Sequence, residues 1–233
     1  AFALAMLPVT SHATIDTIAV DVGISVFKTM PIGVVPFAEK KSIDWIEEKP
    51  HLIVTRDANL SGRFDVISSD KFDLPKFSKA HAKHYITGKV TPVGKMLKVE
   101  CFLYASQTKD VLLGESYTVE QKDMRRALHQ FFDQVIYRLW GERGVASTKL
   151  AYVSKMDGVK QVVVSDYDGF HRSQITRDTT ISMMPVWMKG NAGLYYVNFK
   201  THRPKLYSKT FGGVEKSVFP QLEQTYSPAV NPK

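Results

Sequence analysis

Hydrophobic and polar positions alternate most cleanly in residues 96–105. Leu97, Val99, Cys101 and Leu103 fall on one side of this stretch, Lys98 and Glu100 on the other. A period of two places successive side chains on opposite faces, so the stretch reads as a strand with one buried face. Strands over residues 86–91 and 111–119 flank it, the second after a polar turn at 107–110, and the three predict an antiparallel meander. In residues 124–140 the period changes to three or four. Met124, Leu128, Phe131, Phe132, Val135, Ile136, Leu139 and Trp140 would line one broad face of a helix. Asp123 is placed to cap its start and Gly141 to stop it, and the helix is expected to cover the meander.

Signals in front of the meander are shorter. Residues 33–37 read as an apolar strand closed by a proline. Pro50 suits the first turn of a helix running to about Asn59, with Leu52, Ile53 and Val54 as its apolar content. A strand is expected at 64–67 and a short helix at 80–85. After Gly144 no helical period remains, and strand and turn residues dominate. An internal repeat runs through this part at an offset of 44. Tyr152-Val153-Ser154 maps onto Tyr196-Val197-Asn198, Val162-Val163 onto Leu206-Tyr207, and Arg172-Ser173 onto Lys216-Ser217. The turn Asp168-Gly169 maps onto Gly212-Gly213. At an offset of 43, Pro185-Val186 maps onto Pro228-Ala229. A period in the forties with several short strands per unit is the signature of a β-propeller blade. The expected architecture is an α+β amino-terminal domain over 14–142, then the first blades of an all-β propeller over 145–233. About one and a half to two blades fit, an incomplete ring.

Composition narrows the classes. With 233 residues, 44% hydrophobic and 23% charged, the chain has material for a real core and is not a disordered polymer. No stretch reaches the roughly 18 apolar residues of a membrane span. A single cysteine, Cys101, excludes an intrachain disulfide framework and any metal site built from several cysteines. The net charge of +8 is spread out. Lys40-Lys41, the segment 122–126 and the segment 200–209 are separated by acidic residues, which reads as a solvated basic surface and not as a nucleic-acid site. The first thirteen residues hold an apolar run, Pro8, and the small-x-small ending Ser11-His12-Ala13. They read as the remnant of a secretory signal cleaved between Ala13 and Thr14, with export as the consequence.

Motifs for chemistry are weak. Ser25-Val26-Phe27-Lys28 fits S-x-x-K, but the S-D-N and K-T-G companions of penicillin-recognising enzymes are missing. His81 and His84 lack third and fourth metal ligands at a useful spacing. In Asp166-Tyr167-Asp168-Gly169, a calcium-loop reading fails because Arg177 stands where the twelfth-position glutamate belongs, and a turn explains the segment. Asn59-Leu60-Ser61 is a sequon, read as incidental.

Several stretches together resemble the TolB family of the Tol–Pal cell-envelope system. They are Ile32-Gly33-Val34-Val35-Pro36-Phe37, Asp57-Ala58-Asn59-Leu60-Ser61-Gly62-Arg63-Phe64 and Thr87-Gly88-Lys89-Val90. The stretch from His129 to Gly144 also matches, with Asp133, Ile136, Leu139, Gly141 and Gly144 in step, as do Ala151-Tyr152-Val153-Ser154 and residues 166–169. Departures are Ala58 for the usual leucine, Leu128-His129 for Ala-His, and residues 185–190, which lack the family's Ser-Pro-Asp but keep Trp187. The resemblance implies an α/β domain joined to a propeller, and a periplasmic scaffold with no catalytic, metal or cofactor residues. It implies that a mature amino-terminal strand, here Thr14, Ile15, Asp16, Thr17, Ile18, Ala19 and Val20, binds a TolA-like inner-membrane protein. It also implies that the propeller binds a Pal-like lipoprotein. Strand addition suits the alternation of Ile18 and Val20 against Thr17 and Ala19. The alternative is the propeller part of a prolyl-oligopeptidase-like exported peptidase; the G-x-S-x-G of its hydrolase domain is not in this sequence.

Overall fold

A computed structural model describes residues 29–39, 43 and 48–231. The expected signal remnant with its cleavage point at Ala13 and Thr14, the partner strand at 14–20 and the S-x-x-K at 25–28 lie outside the described residues.

The amino-terminal lobe is built on one mixed sheet. Its strands are β1 (Met30–Val34), β2 (Ala38–Glu39), β3 (Phe64–Ser68), β4 (His84–Val93), β5 (Met96–Ala105) and β6 (Val111–Val119). Their order is β3-β1-β4-β5-β6, with β2 alongside β4. The alternating stretch forms the centre of the expected meander: β4, β5 and β6 pair antiparallel, Gly88 opposite Cys101 and Cys101 opposite Glu115. β1 joins in parallel to both β3 and β4. Parallel pairing requires crossover connections, and α1 (Pro50–Leu60) supplies the one between β1 and β3.

The long helix, α3 (Met124–Trp140), has the predicted bounds. Gly141 ends it in the left-handed conformation, φ 71°, and donates to Tyr137 O at 2.8 Å. The start differs from expectation. Asp123 makes no side-chain cap, because a 3-10 turn over Gln121–Asp123 runs straight into the helix and supplies its first carbonyls. α1 and α3 pack together on one face of the sheet. Ile53, Val54, Leu128, Phe132 and Val135 meet Ile32, Ile86, Val99 and Leu103 in one core.

The helix expected at 80–85 is not there. The helix of this region is α2 (Leu74–Lys79), six residues earlier, and β4 already begins at His84. Asp73 explains the shift. Its carboxylate accepts from Lys76 N, Pro75 sits in the first turn, and Ala80 closes the helix. α2 seals the other face of the sheet with Phe77, which packs with Val35, Ala82 and Tyr85.

Beyond residue 144 the described elements are strands and one 3-10 turn. A first sheet holds β7 (Lys149–Met156), β8 (Val159–Asp166) and β9 (Ser173–Gln174). A second holds β10 (Ser182–Trp187), β11 (Gly193–Asn198), β12 (Lys205–Thr210) and β13 (Lys216–Ser217). Both are antiparallel meanders. β11 follows β7, and β13 follows β9, at close to the spacing of the sequence repeat. Val162, Val164 and Ile175 of the first sheet share a core with Leu194, Tyr196 and Tyr207 of the second, so the sheets stack as propeller blades do.

The segment between the sheets is held by two buried amides. Gln161 Nε2 donates to Asp178 O at 2.8 Å and Thr180 O at 3.1 Å, and its Oε1 accepts from Thr176 Oγ1 at 2.7 Å. Asn198 Nδ2 donates to Asp178 Oδ2 at 2.9 Å and Ser182 Oγ at 2.8 Å; its Oδ1 accepts from Lys200 N at 2.7 Å. Pro228 and Ala229, onto which the repeat maps Pro185-Val186 of β10, form no strand.

Candidate functional site at the joint between the lobes

Buried charge in this chain collects where the α/β lobe meets the first sheet. α3 presents Arg125 and His129 on one helical face, four residues apart, in line with Leu128 and Phe132. Arg125 is 1% exposed and His129 2%. α1 presents Asp57 at the same depth, flanked by Val54 and Ala58. The tight turn after β8, closed by a hydrogen bond from Gly169 N to Asp166 O at 3.0 Å, brings in Asp168 and Phe170. Charged side chains are seldom this buried unless they are paired.

Pairing is extensive. The Arg125 guanidinium bonds Asp168 Oδ2 with one nitrogen and Glu48 Oε2, at 2.9 Å, with another. Arg56 grips Glu48 with two nitrogens, at 2.5 and 2.6 Å. Both arginines stack near the Phe170 ring, whose centroid is 3.6 Å from Arg125 Cζ and 4.6 Å from Arg56 Cζ. His129 stands between two carboxylates. Its Nδ1 is 2.7 Å from Asp57 Oδ2, and its Nε2 is 3.7 Å from Asp168 Oδ2. Asp57 Oδ1 and His129 Nε2 are buried without a hydrogen-bond partner in the protein.

Neighbouring contacts fix the same joint. Asp133 of α3 accepts from Ala146 N at 2.7 Å and Ser147 N at 3.1 Å, clamping the connection between the lobes. Gly144 passes so close to Asp133 that a Cβ would strike its backbone and side chain. Tyr167 Oη donates to Leu60 O at 3.1 Å, across the seam.

The electrostatics follow from burial and partners. Burial pushes the Asp57 carboxyl up, against the opposing hydrogen bond from His129. Hydrogen bonds from Arg56, joined by those from Arg125, hold Glu48 below its ordinary value despite partial burial. Burial pushes Asp166 up, but Lys149 and His171 together outweigh it and hold the carboxyl below its ordinary value. Donor atoms of Asp57, His129 and Asp168 lie within 4.8 Å of one another. They do not suit a cation: Asp168 Oδ2 is already bonded by Arg125 and lies 3.8 Å from Arg56, so the positive charge here comes from the chain itself.

The sequence candidates fare differently. Asp166 ends β8 and Asp168 sits in the turn that follows, as read, but each is engaged by cationic partners. His81 lies in a turn at φ 55°, and His84 opens β4; the described residues bring no metal-binding group to them. Asn59-Leu60-Ser61 forms the end of α1, with Ser61 Oγ donating to Ala58 O. Sequence reading missed Glu48, Arg56, Arg125 and Phe170 as site residues. The available signal was charge inside an apolar stripe, at Asp57, Arg125 and His129.

Comparison with known proteins shows what the chain is similar to. Residues 18–112 match the family model of the TolB amino-terminal domain. The chain is 30% identical over 220 residues to the Tol-Pal system protein TolB of Haemophilus ducreyi, covering 88% of this chain and 50% of that one. To TolB of Methylobacillus flagellatus it is 26% identical over 200 residues, covering 81% and 46%. The crystal structure of TolB from Acinetobacter baumannii has the same fold, with a TM-score of 0.69 at 24% identity over 82% of this chain and 49% of that one. The chain spans about half the length of these relatives. Residues 18–112 are thus similar to a TolB amino-terminal domain, and the similarity to TolB relatives extends into the sheets that follow. No helix among the described residues is long and apolar enough to cross a membrane.

Proposed function

We propose that this chain belongs to a periplasmic adaptor that links an inner-membrane TolA-like protein to an outer-membrane Pal-like lipoprotein and performs no catalysis. The match of residues 18–112 to the TolB amino-terminal domain carries this reading. Residues 14–20 act as a strand that adds to an edge of the TolA-like partner, main-chain hydrogen bonds giving affinity and alternate side chains specificity. Residues 145–233 are the first blades of a propeller whose ring holds the Pal-like partner. The Arg125–Asp168 pair supports the reading, because an adaptor with a partner on each lobe needs the lobes to sense one another.

A pull-down from periplasmic extract tests it, with one bait beginning at Thr14 and a second at Gly23. TolA is expected on the first and absent from the second. Its absence from both removes the strand-addition role. The amino-terminal mass of the exported protein checks cleavage between Ala13 and Thr14.

A further inference from the structure

β3 and β6 are the two edges of the amino-terminal sheet, and they differ. β3 has five residues and carries the exposed Asp65. β6 has nine, Val111–Val119, with no lysine, arginine or proline among them and Glu115 as its one charge. A long edge without those blunting residues is a template for another strand. A bulge at Leu112, together with the bond from Arg138 Nε to Leu112 O at 3.0 Å, closes only one end of it. From Leu113 to Val119 the ladder to β5 is regular, and the far side of β6 is unpaired among the described residues.

Charges along the same edge lack partners. Among the described residues Glu115 and Arg126 form no ion pair, and Arg138 bonds only the Leu112 carbonyl. α3 runs back along β6, so Arg138 stands beside Leu112 and Arg126 beside Tyr117 and Val119. A groove of about 340 Å³ follows this side of the strand, lined by Met96, Tyr117, Val119, Arg126 and Gln130. We infer that β6 pairs antiparallel with β6 of a second copy of this chain, across a two-fold axis at Ser116, and joins two amino-terminal sheets into one.

Side-chain chemistry selects that register. An axis at Ser116 sets Glu115 opposite the partner's Tyr117, Gly114 opposite the partner's Thr118, and Leu113 opposite the partner's Val119. Glu115 and Tyr117 share the α3 side of the sheet, because they stand opposite Cys101 and Val99 of the core. Burial, with Glu115 beside it, pushes the Tyr117 phenol up to about 12, so its hydroxyl keeps its proton as a donor for the partner's Glu115. Arg126, next to that hydroxyl, brings the opposite charge to the same carboxylate. At the end of the strand Arg138 comes opposite the partner's Glu120. On the outer face Gly114 has no side chain, and a Cβ there would approach the Phe102 ring to 3.2 Å. The partner's Thr118 lies beside that gap without crowding the ring. An axis at Glu115 would instead oppose two like charges, and one at Tyr117 would face Glu115 with a valine.

Sedimentation equilibrium of the whole chain tests the inference. The chain should pass from monomer to dimer as its concentration rises to about 100 μM. Ser116→Lys places two ammonium groups on the axis and should raise the dimer Kd at least about tenfold. Ser116 is exposed, so the substitution should leave the fold intact. Cysteine cross-linking under mild oxidation reads the register. Ser116→Cys should form an intermolecular disulfide, since its two sulfurs meet at the axis. Thr118→Cys should not, because the partner's Gly114 faces it. Cys101 is buried and does not compete. A chain that stays monomeric over that range overturns the inference and leaves the edge to a strand of another protein. A dimer that survives Ser116→Lys, or cross-linking of Thr118→Cys at the level of Ser116→Cys, overturns it as well. Should the variants misfold, the wild type decides. Its β6 amides must gain protection from hydrogen exchange as concentration rises while those of β3 do not, and equal behaviour of the two edges overturns the inference.

Discussion

Arg125 lays its guanidinium 3.6 Å from the centroid of Phe170, joining the middle of one lobe to a turn of the other. The same group bonds Asp168 and Glu48, so one side chain satisfies a blade turn and the approach to α1 at once. The joint is thus a shared ionic core and not a flexible tether.

Removing that group should be severe. Arg125→Met leaves the fully buried Asp168 carboxylate without its main partner, and breaking a buried pair from one side costs about 3–5 kcal/mol. Urea unfolding should show that loss, or a split into two transitions as the lobes uncouple. A single transition at the wild-type midpoint would contradict the assigned role.

Glu48 gives the acid side of the pH profile. Arg56 holds its carboxyl below the ordinary 4.5, so its stabilising contribution is complete above about that pH and is lost as pH falls through the lower folded value. Glu48→Gln should therefore be about 1 kcal/mol less stable than wild type at neutral pH. The two curves should converge in acid. Thermal unfolding across the acid range checks this.

The connection between the lobes tolerates no side chain at its tightest point. Gly144→Ala drives a methyl group into Asp133, which must then release Ala146 N or Ser147 N. A loss of about 1–3 kcal/mol is expected from overpacking, measured by denaturant titration.

Asn198 is the corresponding hub of the sheet-to-sheet segment. Asn198→Leu leaves the buried Ser182 hydroxyl without its amide donor and takes one donor from the half-buried Asp178, and should cost about 1–3 kcal/mol. Exchange protection should fall in β10 and β11 and stay unchanged in β5.

Cys101 is fully buried on the core face of β5, and burial, aided by Glu115, pushes its thiol well above the ordinary value. Maleimide or Ellman's reagent should leave the native chain unlabelled at pH 8 and label it fully in denaturant.

Where one local pattern decides an element, the sequence was readable. β5 and β6 follow a period of two and α3 a period near 3.6, and their bounds match the reading. α2 was misplaced because its evident apolar residues, Leu74 and Phe77, are too few to show a period, and its start rests on a single cap from Asp73. The joint was hidden for another reason. Arg125 and His129 lie in a helical stripe whose apolar members were legible, while their partners Asp57 and Asp168 come from distant parts of the chain. No local pattern announces a pairing that only tertiary contact creates. Asp168 in particular reads as an ordinary turn residue until α3 is placed beside it.

The two-sided parallel pairing of β1 dictates an order of assembly. β1 cannot take its place until β3 and β4 exist, and its sheet is not covered until α3 packs, so the first lobe closes only after most of its length is in hand. The sheets behind residue 144 are successive hairpins, such as β7 with β8 and β11 with β12, whose contacts are local and form quickly. A chain threaded from its amino terminus thus carries its slowest lobe first. Asp168 meets Arg125 only once α3 and the hairpin of β7 and β8 are both formed, so that ion pair links the two lobes after each has begun to take shape.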